Sequence, residues 1–188
     1  MTDKEKFMHD VVIFCDTREQ KNKHIIDLLD TYKIKHEDKK LDFGDYSFKV
    51  GERDFSLSCV VERKANVNEL WGNVTKDRER FEKELATAHS IASSVSLLIE
   101  NVQDWNALKS YRLSDTQMML QGRKVQNIGE YIHSTLKAWS CPNRYNFDVV
   151  FIPDARLTAI QIISIFYWYY HNYKSMVKPL NSERTPRK

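Results

Sequence analysis

The sequence predicts an α/β fold in which helices flank a mixed central β-sheet. Short, continuous apolar runs such as residues 10–15 and 94–100 are typical of strands buried inside a sheet. Between such runs lie segments with apolar residues at helical spacing, such as 24–33 and 76–92. Because strands and helices alternate along the chain, we expect an α/β sandwich built around one mixed sheet.

The predicted elements follow in a definite order. We predict strands at residues 10–15, 46–50, 55–63, 94–100 and 147–152. We predict helices at residues 24–33, 76–92, 127–139 and 157–173. The strands 46–50 and 55–63 are expected to form a hairpin about a turn at 51–54. The segment 101–126 lacks clear periodicity and is expected to be mostly loop.

Length and composition are those of one globular domain. The chain has 188 residues, of which 41% are hydrophobic and 29% are charged, enough for a proper core. We expect an N-terminal tail at residues 1–8, the domain at 9–175, and a basic disordered tail at 176–188. The net charge of +3 does not by itself indicate a nucleic-acid binder, so such binding requires a local basic patch.

Cysteine usage and hydropathy indicate a cytoplasmic protein. The cysteines Cys15, Cys59 and Cys141 are odd in number and lack zinc-site spacing, as expected for free thiols in a reducing compartment. The first six residues are charged and contain no apolar signal segment. The most apolar stretch, 159–170, is too short to cross a bilayer. We therefore expect neither secretion nor a membrane partner.

Two carboxylates and a lysine on the predicted hairpin indicate a divalent-metal site. Residues two apart on a strand project to the same face, so Glu62 and Lys64 lie together, with Arg63 opposite. Pairing would bring Asp45, at the start of the preceding strand, beside Glu62. Facing carboxylates repel unless a cation neutralises them, and Mg²⁺ or Mn²⁺ prefers oxygen ligands. Such a site activates water against a phosphodiester, with Lys64 acting on the nucleophile or transition state.

Asp16 and Arg18 are expected to extend this site from the end of the first strand. Asp16 would complete or tune the metal site, and Arg18 would clamp a phosphate with two hydrogen bonds. Each motif has a simpler explanation when taken alone. Asp16 is then a turn or helix cap, Gly44-Asp45 is a turn, and Glu62-Arg63-Lys64 ends a solvated edge strand. Their occurrence together favours a nuclease.

In order and spacing, these motifs resemble the nuclease domain of the XPF family, which includes archaeal Hef. Gly44-Asp45-Tyr46 and Glu62-Arg63-Lys64 match the family signature, and Asp16-Thr17-Arg18-Glu19 matches its upstream motif. The resemblance, over roughly residues 10–173, implies a restriction-endonuclease-like fold of the PD-(D/E)XK superfamily. It also implies a DNA endonuclease that requires Mg²⁺ or Mn²⁺ and cuts branched DNA during repair, recombination or replication. The catalytic residues carried over by this resemblance are Asp16, Arg18, Asp45, Glu62, Arg63 and Lys64, with Asp16, Asp45 and Glu62 as metal ligands.

The sequence departs from the family pattern in two places. The Asp expected shortly after Glu-Arg-Lys is absent, and Asn68 stands there with Glu69 beside it. Either Glu69 takes that role or the outer carboxylate is missing. In addition, the glycine-bearing helix-hairpin-helix modules of many family members are not found after Gly129. This difference indicates a stand-alone domain, as in small phage and prokaryotic members, acting in the cytoplasm of a prokaryotic or phage-infected cell.

Basic side chains outside the signature are candidate DNA contacts. The family arginine on the next helix is Arg78 or Arg80, and we prefer Arg80 because Phe81 follows it. An exposed helix face with internal ion pairs explains both arginines equally well. Such contacts hold phosphate and give affinity without base readout. The full set of candidate DNA-binding residues is Arg18, Arg78, Arg80, Lys109, Arg112, Arg123 and Lys124.

The aromatic run at residues 165–170 lies on the last predicted helix, where its rings point in all directions. This arrangement favours a helix buried on several sides over base stacking. One side is expected to be an interface, and because XPF family members dimerise, we expect a homodimer. Two alternative functions stay open. One is a non-catalytic DNA-binding scaffold subunit, and the other is a PD-(D/E)XK nuclease that cuts linear duplex.

Overall fold

A computed structural model describes residues 1–120, 122 and 124–182 of the chain. Within these residues the strands are β1 Val11–Cys15, β2 Lys35–Asp38, β3 Tyr46–Val50, β4 Arg53–Asp54, β5 Cys59–Lys64, β6 Ser94–Glu100 and β7 Asp148–Ile152. The α-helices are α1 Asp3–Asp10, α2 Lys23–Thr31, α3 Val67–Val74, α4 Arg78–Ile91, α5 Trp105–Lys109, α6 Asp115–Leu120, α7 Ile128–Trp139 and α8 Thr158–Ser182. A 3₁₀-helix, Ala155–Leu157, precedes α8.

The strands form one mixed sheet in the order β2-β1-β3-β5-β6-β7, and β4 pairs with β3. β1 is parallel to β2, and β5, β6 and β7 are parallel to one another. β3 lies antiparallel between β1 and β5. Helices cover both faces of this sheet, so the predicted restriction-endonuclease-like architecture, a mixed central sheet flanked by helices, is confirmed.

Two hydrophobic cores lie on opposite faces of the sheet. Phe7 of α1 and Phe166 of α8 belong to one core, together with Val61 of β5. Phe81 of α4 belongs to the other, together with Val60 of β5. Burial of each large apolar side chain contributes roughly 1.5–3 kcal/mol. Because β5 is packed from both sides, its last residues are held in fixed positions where the strand ends.

The two ends of the chain are more helical than the sequence indicated. The segment 1–8, expected to be a tail, lies largely in α1, which begins with a reciprocal capping box between Thr2 and Glu5. Phe7 of this helix packs against Phe48, with ring centroids 6.2 Å apart. At the other end, α8 continues to Ser182, beyond residue 175, where we placed the end of the domain. Residues 183–188 of the expected basic tail lie outside the described residues.

Four internal segments differ from the prediction. The segment 101–126, expected to be mostly loop, contains α5 and α6, which have only 5 and 6 residues and are too short to show a helical period. α3 was not predicted, although Asn66 caps it by accepting a hydrogen bond from the N–H of Glu69 (2.9 Å). β2 was not predicted because its sequence is polar throughout. β5 begins at Cys59 rather than at residue 55.

The remaining elements agree closely with the prediction. β6 has the predicted bounds, 94–100, and the predicted helix at 127–139 is α7. No helix in the described ranges combines the length and apolar character needed to cross a membrane.

Candidate metal and nucleic-acid site

β3 and β5 bring Asp45 and Glu62 together. These antiparallel strands pair at Tyr46 and Val61, so the next position on each chain places Asp45 opposite Glu62, on the same face. The N–H of Asp45 donates to the carbonyl oxygen of Val61 (2.8 Å). The N–H of Arg63 donates to Oδ2 of Asp45 (2.7 Å). The two carboxylates that the sequence placed on one hairpin are therefore neighbours.

Gly44 permits the close approach that precedes Asp45. Its φ of +74° lies in a region that L-residues with a side chain rarely adopt. A Cβ at this position would lie 3.2 Å from both Cβ of Val60 and the carbonyl oxygen of Val61. The glycine of the Gly-Asp motif thus lets the chain pass against β5 immediately before the carboxylate.

Lys64 lies over the carboxylate of Glu62 and is almost completely buried. Its Nζ is 2.6 Å from Oε1 of Glu62 and 4.8 Å from the ring centroid of Phe81. Burial disfavours the ammonium form, but the negative charges of Glu62 and Asp45 outweigh it, so the pKa of Lys64 lies above its ordinary value. The site therefore contains one fixed positive charge beside two carboxyl groups.

Among Asp45, Glu62 and Lys64, Asp45 is the residue whose ionised form is disfavoured by its surroundings. Burial, followed by the negative charge of Glu62, raises the pKa of Asp45 well above its ordinary value, although Lys64 and the N–H of Arg63 oppose the shift. Two adjacent carboxyl groups that repel each other suit a hard divalent cation. The remaining coordination positions of the cation would accept water and phosphate. No group of three or more His, Cys, Asp or Glu residues suited to a metal occurs in the described part of the chain.

The carboxylate of Asp16 accepts hydrogen bonds from Arg18 and from Leu41, and the metal role expected for it stays a prediction. Its Oδ1 accepts hydrogen bonds from the N–H and Nε of Arg18 (2.8 and 2.6 Å). Its Oδ2 accepts from Nη2 of Arg18 (3.0 Å) and from the N–H of Leu41 (2.7 Å). Burial alone would raise the pKa of Asp16, but these hydrogen bonds outweigh it and lower the pKa. All of its hydrogen-bonding capacity is directed toward holding Arg18 and Leu41.

An open groove of about 720 Å³ contains the carboxylate pair. Arg18 lines this groove, and its side chain is 62% exposed. Nη2 of Arg18 also donates to the carbonyl oxygen of Leu41 (3.0 Å). Because Asp16 and Leu41 both hold the guanidinium, it is fixed near the groove while a large part of it stays accessible to an anion such as phosphate.

The two arginines of α4 have different surroundings. Arg80 lines the groove and donates to Oε1 of Glu84 (2.8 Å). Arg78 is not among the groove residues and donates to the hydroxyl of Tyr131 (3.2 Å) and to Glu82 (3.3 Å). This placement agrees with the preference for Arg80 as the groove arginine.

The other candidate DNA contacts that the structure describes are not brought to the groove. Lys109, Arg112 and Lys124 are exposed and lie outside the groove walls, and Arg123 lies outside the described residues. Tyr111 provides a link, because its hydroxyl accepts a hydrogen bond from Nδ2 of the groove residue Asn68 (3.4 Å). The segment 101–126 therefore contacts a groove residue, and none of its described charged residues lines the groove.

Glu69, rather than Asn68, reaches toward the lysine of the signature. Oε1 of Glu69 lies 3.9 Å from Nζ of Lys64. Its Oε2 accepts a hydrogen bond from the N–H of Ala65 (2.9 Å), at the start of α3. One oxygen of Glu69 is thus used to cap the helix, and the other is available to the groove.

Arg63 projects to the opposite face of β5 from the carboxylate pair. Its guanidinium donates to Oε2 of Glu100 (2.8 Å) and to Oε1 of Glu19 (3.0 Å). Glu100 also hydrogen-bonds to Oγ1 of Thr158 (2.6 Å) and lies 2.9 Å from Nε2 of His24. Strand alternation predicted the side on which Arg63 lies. It gave no signal for the partners, which come from distant parts of the sequence.

Comparisons with known proteins agree with this architecture. The sequence model of the ERCC4 domain matches residues 15–165. The fold is similar to XPF from Aeropyrum pernix, with a TM-score of 0.59 and 16% identity over 89% of this chain and 69% of that one. It is also similar to XPF from Aeropyrum pernix in complex with DNA, with a TM-score of 0.56 and 17% identity over 86% of this chain and 66% of that one. A search of curated proteins finds no match.

Proposed function

This chain belongs to the ERCC4 domain family, and from that premise we propose that it is a divalent-metal-dependent endonuclease acting on branched DNA. The observation that carries the proposal is the pairing of Asp45 with Glu62 on adjacent strands, with Nζ of Lys64 2.6 Å from the Glu62 carboxylate. Carboxyl oxygens and a buried ammonium at the floor of an open groove provide complementary partners for a cation and a phosphodiester.

Asp45 and Glu62 are the residues proposed to hold Mg²⁺ or Mn²⁺. The raised pKa of Asp45 supports this assignment, because burial and the charge of Glu62 disfavour its ionised form, which a bound cation would stabilise. When bound, the ion would stabilise negative charge on the phosphate and lower the pKa of a water molecule. Oxygen atoms of the DNA and of water would complete the coordination that Asp45 and Glu62 begin.

Lys64 would neutralise the charge that develops on the phosphate during hydrolysis. Its ammonium is fixed by Glu62 and shielded from bulk water by Phe81. A donor held in place in a site with little water costs no reorganisation during the reaction, and its removal typically slows a reaction about 10²–10³-fold. Glu62 then has two tasks, since it binds the ion and orients Lys64.

Arg18 and Arg80 would hold the DNA backbone on either side of the reacting phosphate. Asp16 serves this binding indirectly, because it fixes the guanidinium of Arg18 near the groove. The pair between Arg80 and Glu84 is exposed, and such pairs cost little to break in favour of a phosphate. Contacts of this kind predict salt-sensitive binding with no base sequence preference.

The similar structure from Aeropyrum pernix, which is a complex with DNA, supports DNA as the substrate class. The XPF-type motifs support branched DNA as the form that is cut. The test uses labelled forked DNA and a linear duplex of the same sequence, each with Mg²⁺, Mn²⁺ or EDTA. Metal-dependent cuts near the branch support the proposal. Metal-dependent cuts in the linear duplex at defined sequences support the duplex-cutting alternative.

A non-catalytic DNA-binding subunit is the second candidate, and the outer position of the signature favours it. Asn68 occupies the position of the Asp expected from the XPF-family pattern. One oxygen of the nearby Glu69 is already used, because it accepts the hydrogen bond from the N–H of Ala65 at the start of α3. Fork binding without cleavage in either metal would support this scaffold role. We favour the enzyme because the inner residues Asp45, Glu62 and Lys64 are all present and adjacent.

We also propose that the chain forms a homodimer through the outer side of α8. Met8, Tyr32, Ile160, Tyr167 and Trp168 line an apolar groove of about 510 Å³ there. Tyr32 and Trp168 are 61% and 56% exposed, and large apolar side chains that cluster on a surface commonly mark an interface. Sedimentation of wild type and Trp168→Lys tests this assembly. A dimer that Trp168→Lys dissociates supports it, whereas a monomeric wild type contradicts it.

A further inference from the structure

A chain of buried polar contacts runs from α2 and α8 to the loop that carries Arg18. Its centre is Glu100, which is 2% exposed. Oε1 of Glu100 accepts a hydrogen bond from Oγ1 of Thr158 (2.6 Å) and lies 2.9 Å from Nε2 of His24. Oε2 accepts from Nη1 of Arg63 (2.8 Å). The carboxylate is therefore held from three elements of the fold, and it orients Arg63 in turn.

Arg63 connects this buried centre to two parts of the groove. Its Nη2 donates to Oε1 of Glu19 (3.0 Å) and to the carbonyl oxygen of Lys21 (3.3 Å). Both acceptors lie just beyond Arg18 in the loop that follows β1. The backbone N–H of Arg63 holds Oδ2 of Asp45 (2.7 Å). A single residue thus fixes the loop with its side chain and a proposed metal ligand with its backbone.

Stability alone does not explain this arrangement. Removing an arginine and a carboxylate from water costs several kcal/mol per ion, and a buried ion pair often contributes no more than a well-packed apolar pair. Burial would lower the pKa of Arg63, but Glu19 and Glu100 outweigh it and keep the guanidinium charged. A buried, charged arginine whose two terminal nitrogens both donate to fixed acceptors is better explained by the geometry that these donors impose on the residues around it.

We propose that Arg63 is a positioning residue, which Glu100, His24 and Thr158 orient so that it holds the loop 16–21, and with it Arg18, at the groove. The inference rests on the proposed function for its ligand, the phosphate backbone of DNA. The guanidinium of Arg63 lies on the other face of β5 from the reacting group. Its effect on DNA reaches the groove through Arg18.

The test compares the full chain with the double variant Arg63→Met, Glu100→Gln. Gln retains an acceptor for Thr158, and Met retains much of the volume of Arg63, so thermal unfolding checks that the domain stays folded. Limited trypsin digestion then measures how often the loop 16–21 opens, through the rates of cleavage after Arg18 and Lys21. We expect both rates to rise at least about tenfold in the double variant. Asp27→Asn, which removes an exposed ion pair with Lys23 on α2 (2.6 Å), is the matched control and should leave both rates unchanged.

A second readout separates positioning from general structural support. Binding of fluorescently labelled forked DNA is measured in EDTA, so that cleavage plays no part. We expect the Kd of the double variant to rise about tenfold, as for Arg18→Ala, and the triple variant with Arg18→Ala to be no weaker than Arg18→Ala alone. If the Kd of the triple variant rises by the product of the two separate increases, the proposal is overturned, because Arg63 then acts independently of Arg18.

The variant Glu19→Gln keeps the proposal testable if the double variant unfolds. It weakens the contact of Glu19 with Arg63 and the hydrogen bond that the same oxygen accepts from the N–H of Lys21 (3.0 Å), and it leaves Glu100, His24 and Thr158 in place. Faster digestion after Arg18 with an unchanged thermal midpoint would support the proposal. Wild-type digestion rates in both variants would overturn it, whatever the DNA result. If the wild type binds no forked DNA, the proposed function fails, while the digestion still decides whether Arg63 holds the loop.

Discussion

The ammonium of Lys64 lies 2.6 Å from Oε1 of Glu62, two residues earlier on the same strand. Strand pairing puts Asp45 on the other side of that glutamate. Glu62 is therefore paired directly with Lys64, whereas the carboxyl group of Asp45 accepts a hydrogen bond from the N–H of Arg63 (2.7 Å). Burial, followed by the negative charge of Glu62, raises the pKa of Asp45 well above its ordinary value, which makes Asp45 the residue that depends most on an added cation.

Asp45→Asn should stabilise the domain in the absence of metal. Between the ordinary carboxyl pKa and the raised pKa of Asp45, the folded state binds more protons than the unfolded state, so the free energy of unfolding of the wild type falls as pH rises. Asn at position 45 does not ionise, so it removes this pH-dependent loss of stability. Its amide oxygen can still accept the hydrogen bond from the N–H of Arg63. Chemical denaturation in EDTA should show a gain in stability that grows from pH 4 to pH 8. A variant less stable than wild type at every pH would contradict the assignment.

Mg²⁺ or Mn²⁺ should stabilise the wild type but not Glu62→Gln. A ligand that binds only the folded state at 100 times its Kd adds about 2.7 kcal/mol to the free energy of unfolding. Thermal unfolding at increasing metal concentration measures this effect. Glu37→Gln, at a partly exposed pair with Lys49, is the control and should respond like the wild type. An equal metal response in Glu62→Gln would place the ion elsewhere.

Lys64→Met should lower kcat for DNA cleavage about 10²–10³-fold, because it removes a fixed positive charge beside the reacting phosphate. Metal affinity should not fall, since Lys64 competes with the cation for Glu62. Single-turnover cleavage at saturating DNA, together with calorimetric metal titration, separates the two effects. A variant with wild-type kcat and weakened metal binding would show that Lys64 only organises the carboxylates.

Asp16→Asn should cost about 2 kcal/mol of stability at pH 7, because an amide donor would face the donors of Arg18 and Leu41 at a buried site. The pKa of Asp16 is lowered, so its contribution is present above the ordinary carboxyl pKa and is lost as pH falls through the lowered value. The difference from wild type should therefore shrink in acid. Asp154→Asn, at an exposed aspartate paired with Arg156, should change stability little.

Local sequence information accounts for much of the fold. The bounds of β6 follow from a short, mostly apolar run, and those of α7 from apolar residues at helical spacing. α1 also carried a readable signal, since Thr2 and Glu5 have capping-box spacing. α5 and α6 span fewer than two turns, so no period exists to be detected. The polar strand β2 forms only because β1 offers it a parallel edge.

The contacts of the candidate site also divide into those that local sequence predicts and those that it does not. The neighbours Glu62, Lys64 and Asp45 follow from strand alternation and one hairpin register, both of which are local. The partners of Asp16 and Arg63 depend on chain segments far away in sequence. Oδ2 of Asp16 meets the N–H of Leu41 only because the chain after β2 returns to the end of β1. No spacing rule reports such a contact, so the sequence alone does not show which distant groups hold the carboxylate of Asp16.

Metal-dependent cleavage near a DNA branch, and its dependence on Asp45, is the most direct measurement of the central claim. Wild type, Asp45→Asn and the control Asp148→Asn, an exposed aspartate at the start of β7, are compared on a labelled fork, flap, four-way junction, linear duplex and single strand. We expect the wild type and Asp148→Asn to cut close to the branch in Mg²⁺ or Mn²⁺ and not in EDTA. Asp45→Asn should bind the same DNA and cut it on the order of 10³-fold more slowly, since a bound metal supplies several kcal/mol to the transition state. Equal cleavage by Asp45→Asn and wild type, or cleavage that persists in EDTA, would contradict the account.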